Sequence, residues 1–253
     1  MPRYFLELAY KGTAYSGFQV QENAHTIQEE IEKALQVIFR QPFVLSGSSR
    51  TDAGVHAIQN FFHFDTEKII EPKTVYNINA LLPNDIAIKG IYPVPQGSHA
   101  RFDAIAREYQ YFIYTKKDPF LADRAWLFPF PLDMELLQQA AKILMEYNDF
   151  TSFSKRNTQV KSFQCVIEKS EWVQKGDLLI FTVMANRFLR GMVRGLVGTM
   201  LKLGREQIDI TVFREIIEGR DCTKADFSTW GQGLFLNRVM YKDTLKPFLQ
   251  IPY

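Results

Sequence analysis

Residues 4–10 read YFLELAY, so that large apolar side chains recur at every second position along the chain. A period of two that includes aromatic residues predicts a β-strand. Residues 26–29 read TIQE, which matches a capping box, and apolar residues then recur every three or four positions as far as Arg40. These spacings predict a strand that is followed, after a polar loop, by an amphipathic helix.

The same patterns extend outward from this strand and helix in two successive groups. In the first group the order is strand, helix, strand, strand, helix, strand, at residues 4–10, 26–40, 43–45, 58–64, 72–81 and 86–94. The second group repeats that order with one added helix, at residues 108–114, 133–144, 163–173, 178–185, 186–203, 210–217 and 234–241. This order is the ferredoxin-like β-α-β-β-α-β unit. We therefore predict an α+β protein of two ferredoxin-like halves, residues 1–103 and 104–253, with mainly antiparallel sheets and a crossing loop at 116–131.

The composition favours a folded protein of a reducing compartment. The chain has 253 residues, of which 46% are apolar and 23% charged, which excludes a disordered chain. Cys165 and Cys222 cannot build a disulfide framework, and we expect both thiols to be structural. The sequence shows neither a signal peptide nor an apolar run of about 18 residues, so we expect a cytoplasmic protein without a membrane partner. The net charge of +2 favours no class of partner.

Five cations share one face of the helix predicted from residue 186. At 100° per residue they lie within about 120° of one another, and the stretch 186–205 holds no acidic residue. These cations are Arg187, Arg190, Arg194, Lys202 and Arg205. Such a face, with Gly191 and Gly198 in the same arc, would allow a polyanion backbone to approach. The alternative is a solvated stripe with one arginine turned toward a buried carboxylate, and Arg194 suits both interpretations.

The loop at residues 46–56, SGSSRTDAGVH, holds one carboxylate, Asp52, two positions after Arg50. Small residues leave its backbone free to turn tightly. The carboxylate could be a nucleophile, a general base or a cation ligand, or it could only stabilise its own turn. A metal site would need a second carboxylate or a histidine, and only His56 is near in sequence, so nucleophile or base is the favoured functional role.

Tyr109 and Tyr111 lie on one face of the strand that opens the second half. Residues two apart in a strand commonly pack together in the core. The functional alternative is a flat platform on which a nucleobase stacks. His99, Arg101 and Phe102 come just before this strand and would line the same region.

Six short motifs in order make the chain resemble the tRNA pseudouridine synthase A family. One is RTDAGVH at residues 50–56, followed by a strand that ends in HF at 63–64. The others are YKGTAYSGFQVQ at 10–21, NALLPNDI at 79–86, HARF at 99–102 with REYQY at 107–111, NDFTSF at 148–153 and NRFLRGMVR at 186–194. Ser49 and Phe18 replace a glycine and a tryptophan that are common in that family.

The resemblance implies isomerisation of uridine to pseudouridine at positions 38, 39 and 40 of the tRNA anticodon arm. Asp52 would be the nucleophile and Arg194 its partner. Tyr109 would be catalytic as well, stacking on the target base and acting in proton transfer. Arg50 would hold the cleft open or fill the gap left by the flipped base.

The resemblance also implies a central RNA-binding cleft flanked by the two halves, a homodimer, no metal and no organic cofactor. Besides Tyr109 and Arg50, we expect Arg101, Arg187 and Arg190 to contact the anticodon stem-loop. The sequence leaves open whether the carboxylate attacks C1′ of the ribose or C6 of the base.

Two other functions remain as alternatives. A non-catalytic RNA-binding module similar to RRM domains also uses strand aromatics, but a carboxylate beside phosphates would weaken its binding. An aspartate-dependent hydrolase or phosphoryl-transfer enzyme would need a metal and a second carboxylate, which the sequence does not place near Asp52.

Overall fold

The computed structural model describes residues 1–156 and 160–249, which form two compact units. Unit 1 comprises Met1–Ile105 together with Leu236–Tyr253, described as far as residue 249, and unit 2 comprises Ala106–Phe235. The division of the chain into domains at residues 1–103 and 104–253 stays a prediction. The units differ from them because the C-terminal residues are grouped with the N-terminal part of the chain.

The first part of unit 1 contains six elements around a central strand. They are β1 (Arg3–Tyr10), α1 (Ile27–Phe39), β2 (Ser46–Gly47), β3 (His56–Asp65), α2 (Thr74–Leu81) and β4 (Ile86–Val94). Strand β1 pairs antiparallel with β3 on one side and β4 on the other, so Leu6 lies opposite both Phe62 and Ile91. Because β1 is central and covered on both faces, Phe5 is as fully buried as its neighbour Leu6.

Helix α1 begins where the capping signal predicts. Thr26 has an extended backbone, and its hydroxyl accepts a hydrogen bond from the backbone N–H of Glu29. Such a cap stabilises a helix by about 1 kcal/mol. The face that carries Ile27, Ile31 and Leu35 is buried, and the helix ends at Arg40 in the left-handed region.

The remaining elements lie mostly in unit 2. They are β5 (Ala104–Tyr114), β6 (Trp126–Leu127), α3 (Met134–Leu144), β7 (Ile167–Lys175), β8 (Leu178–Ala185), α4 (Met192–Gly204), α5 (Ile210–Glu218) and β9 (Leu234–Tyr241). Strand β8 lies between β5 and β7 and is antiparallel to both, whereas β6 runs parallel to β5. From Leu236 onward β9 belongs to unit 1, where it neighbours β3.

The predicted fold class is confirmed at this level: the protein is α+β and its strand pairings are mainly antiparallel. Aromatic and aliphatic side chains fill the interior of each unit. In unit 2 the fully buried ones include Phe150, Phe153, Phe181, Phe213 and Met200. In the part of the chain that the structure describes, no helix has both the length and the apolar character that crossing a membrane requires.

The prediction of a helix from residue 186 was wrong at its start, because α4 begins only at Met192. The reason is Gly191, which has φ +75° in the left-handed region and cannot continue a right-handed helix. The preceding carbonyl, that of Arg190, accepts a hydrogen bond from the backbone N–H of Lys155 at 3.0 Å rather than from a following helical turn. Residues 186–191 therefore form an anchored loop.

Two strand predictions were wrong in position. Residues 43–45 form no strand, because the backbone of Leu45 bonds to the side chains of Gln28 and Glu32 on α1, and β2 follows at Ser46–Gly47. The strand predicted from 163 begins at Ile167. The crossing loop predicted at 116–131 contains the short strand β6.

Candidate active site

Asp52 lies in a tight turn between β2 and β3 in unit 1. Its backbone carbonyl accepts a hydrogen bond from the N–H of Val55 at 3.2 Å, and Gly54 completes the turn at φ +76°. Burial alternates along the loop, since Arg50 is exposed, Thr51 is buried and Asp52 is half-buried. The turn therefore presents the Arg50 and Asp52 side chains outward while Thr51 points into the unit.

The segment after β1 supports this turn by direct backbone contact. The N–H of Phe18 donates to the carbonyl of Thr51 at 3.0 Å, and the N–H of Gly54 donates to the carbonyl of Tyr15 at 3.3 Å. At Gly12 a Cβ atom would lie only 2.0 Å from the carbonyl oxygen of Val55. Only glycine permits that approach, so the 10–21 motif and the 50–56 motif form one packed structure.

Asn60, on β3, bonds to the loop that carries Asp52 and is not among the residues predicted from the sequence. Its side chain is fully buried and joins Ser48, Ser49 and Tyr10 by hydrogen bonds. The available signal was a carboxamide directly before the apolar pair Phe61–Phe62, because a buried amide is costly unless all its polar atoms are bonded.

His56 has a structural role at this turn. Its ring is buried, and its Nδ1 atom accepts a hydrogen bond from the backbone N–H of Gly12 at 3.1 Å. Among residues 1–156 and 160–249 no three histidine, cysteine or acidic side chains are grouped so as to hold a metal ion.

In unit 2, Tyr109 and Tyr111 lie on β5 in different surroundings. The Tyr109 ring is almost wholly buried and meets the ring of Phe188 edge-on, with centroids 5.0 Å apart. Tyr111 is fully buried, and its hydroxyl donates to the carbonyl of Trp230 at 2.7 Å. Burial raises the pKa of Tyr111 well above its ordinary value, so we assign Tyr111 to the core.

Arg194 lies in the first turn of α4, and its guanidinium is held by a backbone group. Two of its nitrogens donate to the carbonyl of Thr229, one of them, Nε, at 2.8 Å. The hydroxyl of Thr229, itself fully buried, donates back to the carbonyl of Arg194 at 3.1 Å. The arginine is therefore fixed in orientation, which is what a partner cation in a catalytic site requires.

The basic face predicted for residues 186–205 is not one helical face. Lys202 forms an ion pair with Asp226 at 3.5 Å, and the Arg205 guanidinium lies 4.1 Å from the centre of the Phe130 ring. At Gly198 a Cβ atom would lie 2.3 Å from the carbonyl oxygen of Asp226. This glycine therefore allows the protein's own backbone at Asp226 to approach the helix closely. The prediction was wrong because it placed the loop at 186–191 on the helix.

Arg187 and Arg190 instead belong to the loop that connects β8 to α4. Arg190 is exposed, Arg187 is half-buried, and the loop is anchored at Asn186, whose side chain accepts from the N–H of Val166 at 2.9 Å. In unit 1, Arg101 is exposed and its guanidinium lies 5.9 Å from the centre of the Phe102 ring. These three arginines remain predicted substrate contacts.

Asp52 belongs to unit 1, whereas Arg194 and Tyr109 belong to unit 2. Their meeting in one catalytic site stays a prediction.

Cys165 is buried, and burial raises the pKa of its thiol to about 11, which agrees with the structural role expected for it.

Comparison with known proteins decides the family. A family model described as tRNA pseudouridine synthase matches residues 8–103 and 140–242. The chain belongs to the tRNA pseudouridine synthase family. Within this family it is 46% identical over 249 residues to tRNA pseudouridine synthase A of Parabacteroides distasonis, covering 98% of this chain and 99% of the relative. It is 38% identical to tRNA pseudouridine synthase A of Bacillus subtilis, covering 92% of this chain and 97% of the relative.

The matched ranges of the family model contain most of the motifs seen in the sequence. The turn that carries Asp52 lies in the first range, and the loop of Arg187 and Arg190, with Arg194, lies in the second. Tyr109 falls between the two ranges. The resemblance to this family proposed from the motifs is confirmed.

Proposed function

We propose that this protein isomerises uridine to pseudouridine at positions 38, 39 and 40 of the tRNA anticodon arm, with Asp52 as the nucleophile. Its family membership makes it an isomerase that acts on tRNA. The observation that carries the finer proposal is the placement of Asp52. The single carboxylate of the 50–56 motif stands half-buried in a turn whose backbone is held by the 10–21 motif.

The reaction needs few chemical groups. The C1′–N1 bond of uridine breaks, a C1′–C5 bond forms, the proton on C5 is lost and N1 gains a proton. No electrons are gained or lost overall, so a carboxylate that attacks C1′ or C6 suffices as the covalent catalyst. We propose no metal and no organic cofactor.

The carboxylate has to be ionised in order to attack, and a fixed cation nearby favours that form. Arg194 is the proposed partner, and its double hydrogen bond to Thr229 supports this role because the guanidinium is already oriented. A base within a stem has to be flipped out before it can react. Tyr109 is the proposed stacking surface for the flipped base, and the exposed Arg50 would fill the gap that it leaves.

The proposal includes two ferredoxin-like halves that flank an RNA-binding cleft, a homodimer and a cytoplasmic location. The order β1-α1-β2-β3-α2-β4 supports the first half, and the sequence β5, α3, β7, β8, α4, with β9 as the last strand, supports the second. Arg101, Arg187 and Arg190 would contact the phosphates of the anticodon stem-loop and fix its register. An RRM-like binding module is the alternative.

Tritium release from tRNA labelled with [5-³H]uridine tests the proposal, because the C5 proton leaves in every turnover. We expect release by the wild type, none above background by Asp52→Asn, and tRNA binding by both. Asp177→Asn, at the exposed β7–β8 turn, is the matched control and should release tritium at the wild-type rate. Release by Asp52→Asn would overturn the nucleophile, and tRNA binding without release by the wild type would favour the binding module.

The position of the target is tested with tRNA variants. Replacing the uridines at 38, 39 and 40 by cytidine should abolish release from that tRNA, whereas replacing uridines elsewhere should not. Undiminished release from the triple variant would contradict the anticodon-arm assignment.

A further inference from the structure

A buried polar network in unit 1 connects β3 to the residues just before Asp52. The amide nitrogen of Asn60 donates to the hydroxyl of Tyr10 at 3.2 Å and to the carbonyl of Ser49 at 3.1 Å. Its amide oxygen accepts from the hydroxyl of Ser48 and from the N–H of Phe61, each at 2.9 Å. The Tyr10 hydroxyl lies 2.8 Å from the hydroxyl oxygen of Thr51.

The network holds the chain on both sides of Arg50. Ser49 is bound through its carbonyl, and Thr51 is bound through its side chain, which is buried beneath the turn. With Thr51 directed inward, the adjacent side chains of Arg50 and Asp52 are directed outward, as their greater exposure shows. The hydroxyl of Tyr10 is therefore one hydrogen bond and one peptide bond away from Asp52.

Stability alone does not explain a buried carboxamide at this place. Apolar side chains of similar volume fill a strand interior at lower cost, since a buried polar group only offsets its lost hydration by forming hydrogen bonds. Three of the four hydrogen bonds of Asn60 instead fix the 48–51 segment or Tyr10, which contacts it, and the fourth goes to the backbone N–H of Phe61. Fully bonded buried networks specify a single conformation.

We propose that Asn60 and Tyr10 are positioning residues that set the place of the Asp52 carboxylate through Thr51. This inference rests on the proposed function, in which Asp52 is the nucleophile. A displacement of about 1 Å at a reacting group can lower a rate on the order of a hundredfold. Loosening the network should therefore slow the chemical step and leave tRNA binding intact.

The test uses isosteric changes that remove one hydroxyl at a time. Tyr10→Phe and Thr51→Val each break the contact between Tyr10 and Thr51, and the double variant breaks no further contact between them. Tyr92→Phe is the matched control, because this buried tyrosine on β4 donates its hydroxyl to Glu7 at 2.6 Å, apart from the turn. Thr51→Ser keeps the hydroxyl and should rescue the rate.

We expect kcat for tritium release to fall roughly ten- to a hundredfold in Tyr10→Phe and in Thr51→Val, with KM for tRNA within about threefold of the wild type. The double variant should be no slower than Tyr10→Phe, which already loses the bond from Asn60 as well, because the contact between Tyr10 and Thr51 can be lost only once. Tyr92→Phe should keep kcat within about twofold. Thermal unfolding of every variant is measured alongside as the control that the fold is retained.

Unchanged kcat in Tyr10→Phe, multiplying losses in the double variant, or an equal loss in Tyr92→Phe would each overturn the inference. If Tyr10→Phe does not fold, a comparison of kcat between Thr51→Val and Thr51→Ser decides the same question at the turn itself. A folded wild type without tritium release contradicts the proposed function and this inference with it. Release by the wild type with an unaffected Tyr10→Phe contradicts the positioning role alone.

Discussion

Arg194 and Thr229 hold each other through reciprocal hydrogen bonds. The guanidinium of Arg194 donates twice to the carbonyl of Thr229, and the hydroxyl of Thr229 donates to the carbonyl of Arg194 at 3.1 Å. Because Thr229 is fully buried, its carbonyl depends on protein donors for hydrogen bonds. The pair ties the first turn of α4 to the segment that precedes β9.

Arg194→Lys keeps the charge and removes the forked pair of donors. We expect the free energy of unfolding to fall by about 1–2 kcal/mol and tritium release to fall at least about tenfold. Urea unfolding and the release assay measure the two effects. Arg190→Lys, at an exposed arginine of the neighbouring loop, should leave stability within about 0.5 kcal/mol of the wild type. A fully stable and fully active Arg194→Lys would contradict the importance of the fork.

Gly198→Ala should destabilise the protein although it lies inside helix α4. Helix propensity alone would favour alanine by about 1 kcal/mol. The added Cβ would lie 2.3 Å from the carbonyl oxygen of Asp226, so the helix and that segment have to separate, at a cost of about 1–3 kcal/mol. Gly97→Ala is the control, because apart from the two residues bonded to Gly97 no atom lies within 4 Å of its Cβ position. Thermal unfolding that shows equal stability for both variants would refute this packing argument.

His63 should make the protein less stable as the pH falls from about 6.5 to 4. Burial, with repulsion from His99 and Arg3, lowers the pKa of His63 to about 4, and its Nδ1 accepts from the N–H of Ala100 in the neutral form. Between the two pKa values the unfolded chain binds the extra proton, so the stability that the neutral His63 ring contributes is lost as pH decreases.

His63→Gln keeps a hydrogen-bond acceptor and cannot titrate. Urea unfolding between pH 7 and pH 4 should therefore show a shallower loss of stability for this variant than for the wild type. Parallel pH profiles for the two proteins would show that His63 does not bind the proton in question.

Arg190→Glu should weaken tRNA binding and reduce the magnitude of the slope of log affinity against log salt by about one for each phosphate that the protein no longer neutralises. Lys175→Glu is the matched charge reversal. Lys175 is exposed at the end of β7, where it pairs with Leu178 at the start of β8, and so lies about 25 Å along the hairpin from residue 186. Filter binding at several salt concentrations measures both slopes. Equal slopes for Arg190→Glu and the wild type would remove Arg190 from the RNA-binding surface.

Local patterns predicted most of the elements. The strands at 86–94, 178–185 and 234–241 have the bounds that alternation and turn residues predicted, and Thr26 and Asp133 cap α1 and α3. These signals lie within a few residues of one another, so a sequence displays them directly. The helix predicted at 186–191 failed because apolar spacing does not reveal that Gly191 adopts a left-handed backbone.

The sequence by itself determined the fold class, the order of the elements, the family and the residue, Asp52, that we propose as nucleophile. Only the tertiary structure decided what each polar group contacts. Arg194 bonds to Thr229, 35 residues away, and Tyr10 contacts Thr51, 41 residues away. Periodicity and motif spacing describe neighbours along the chain, whereas hydrogen-bond partners follow from how distant segments pack. The buried support of Asp52 was therefore visible only in the folded chain.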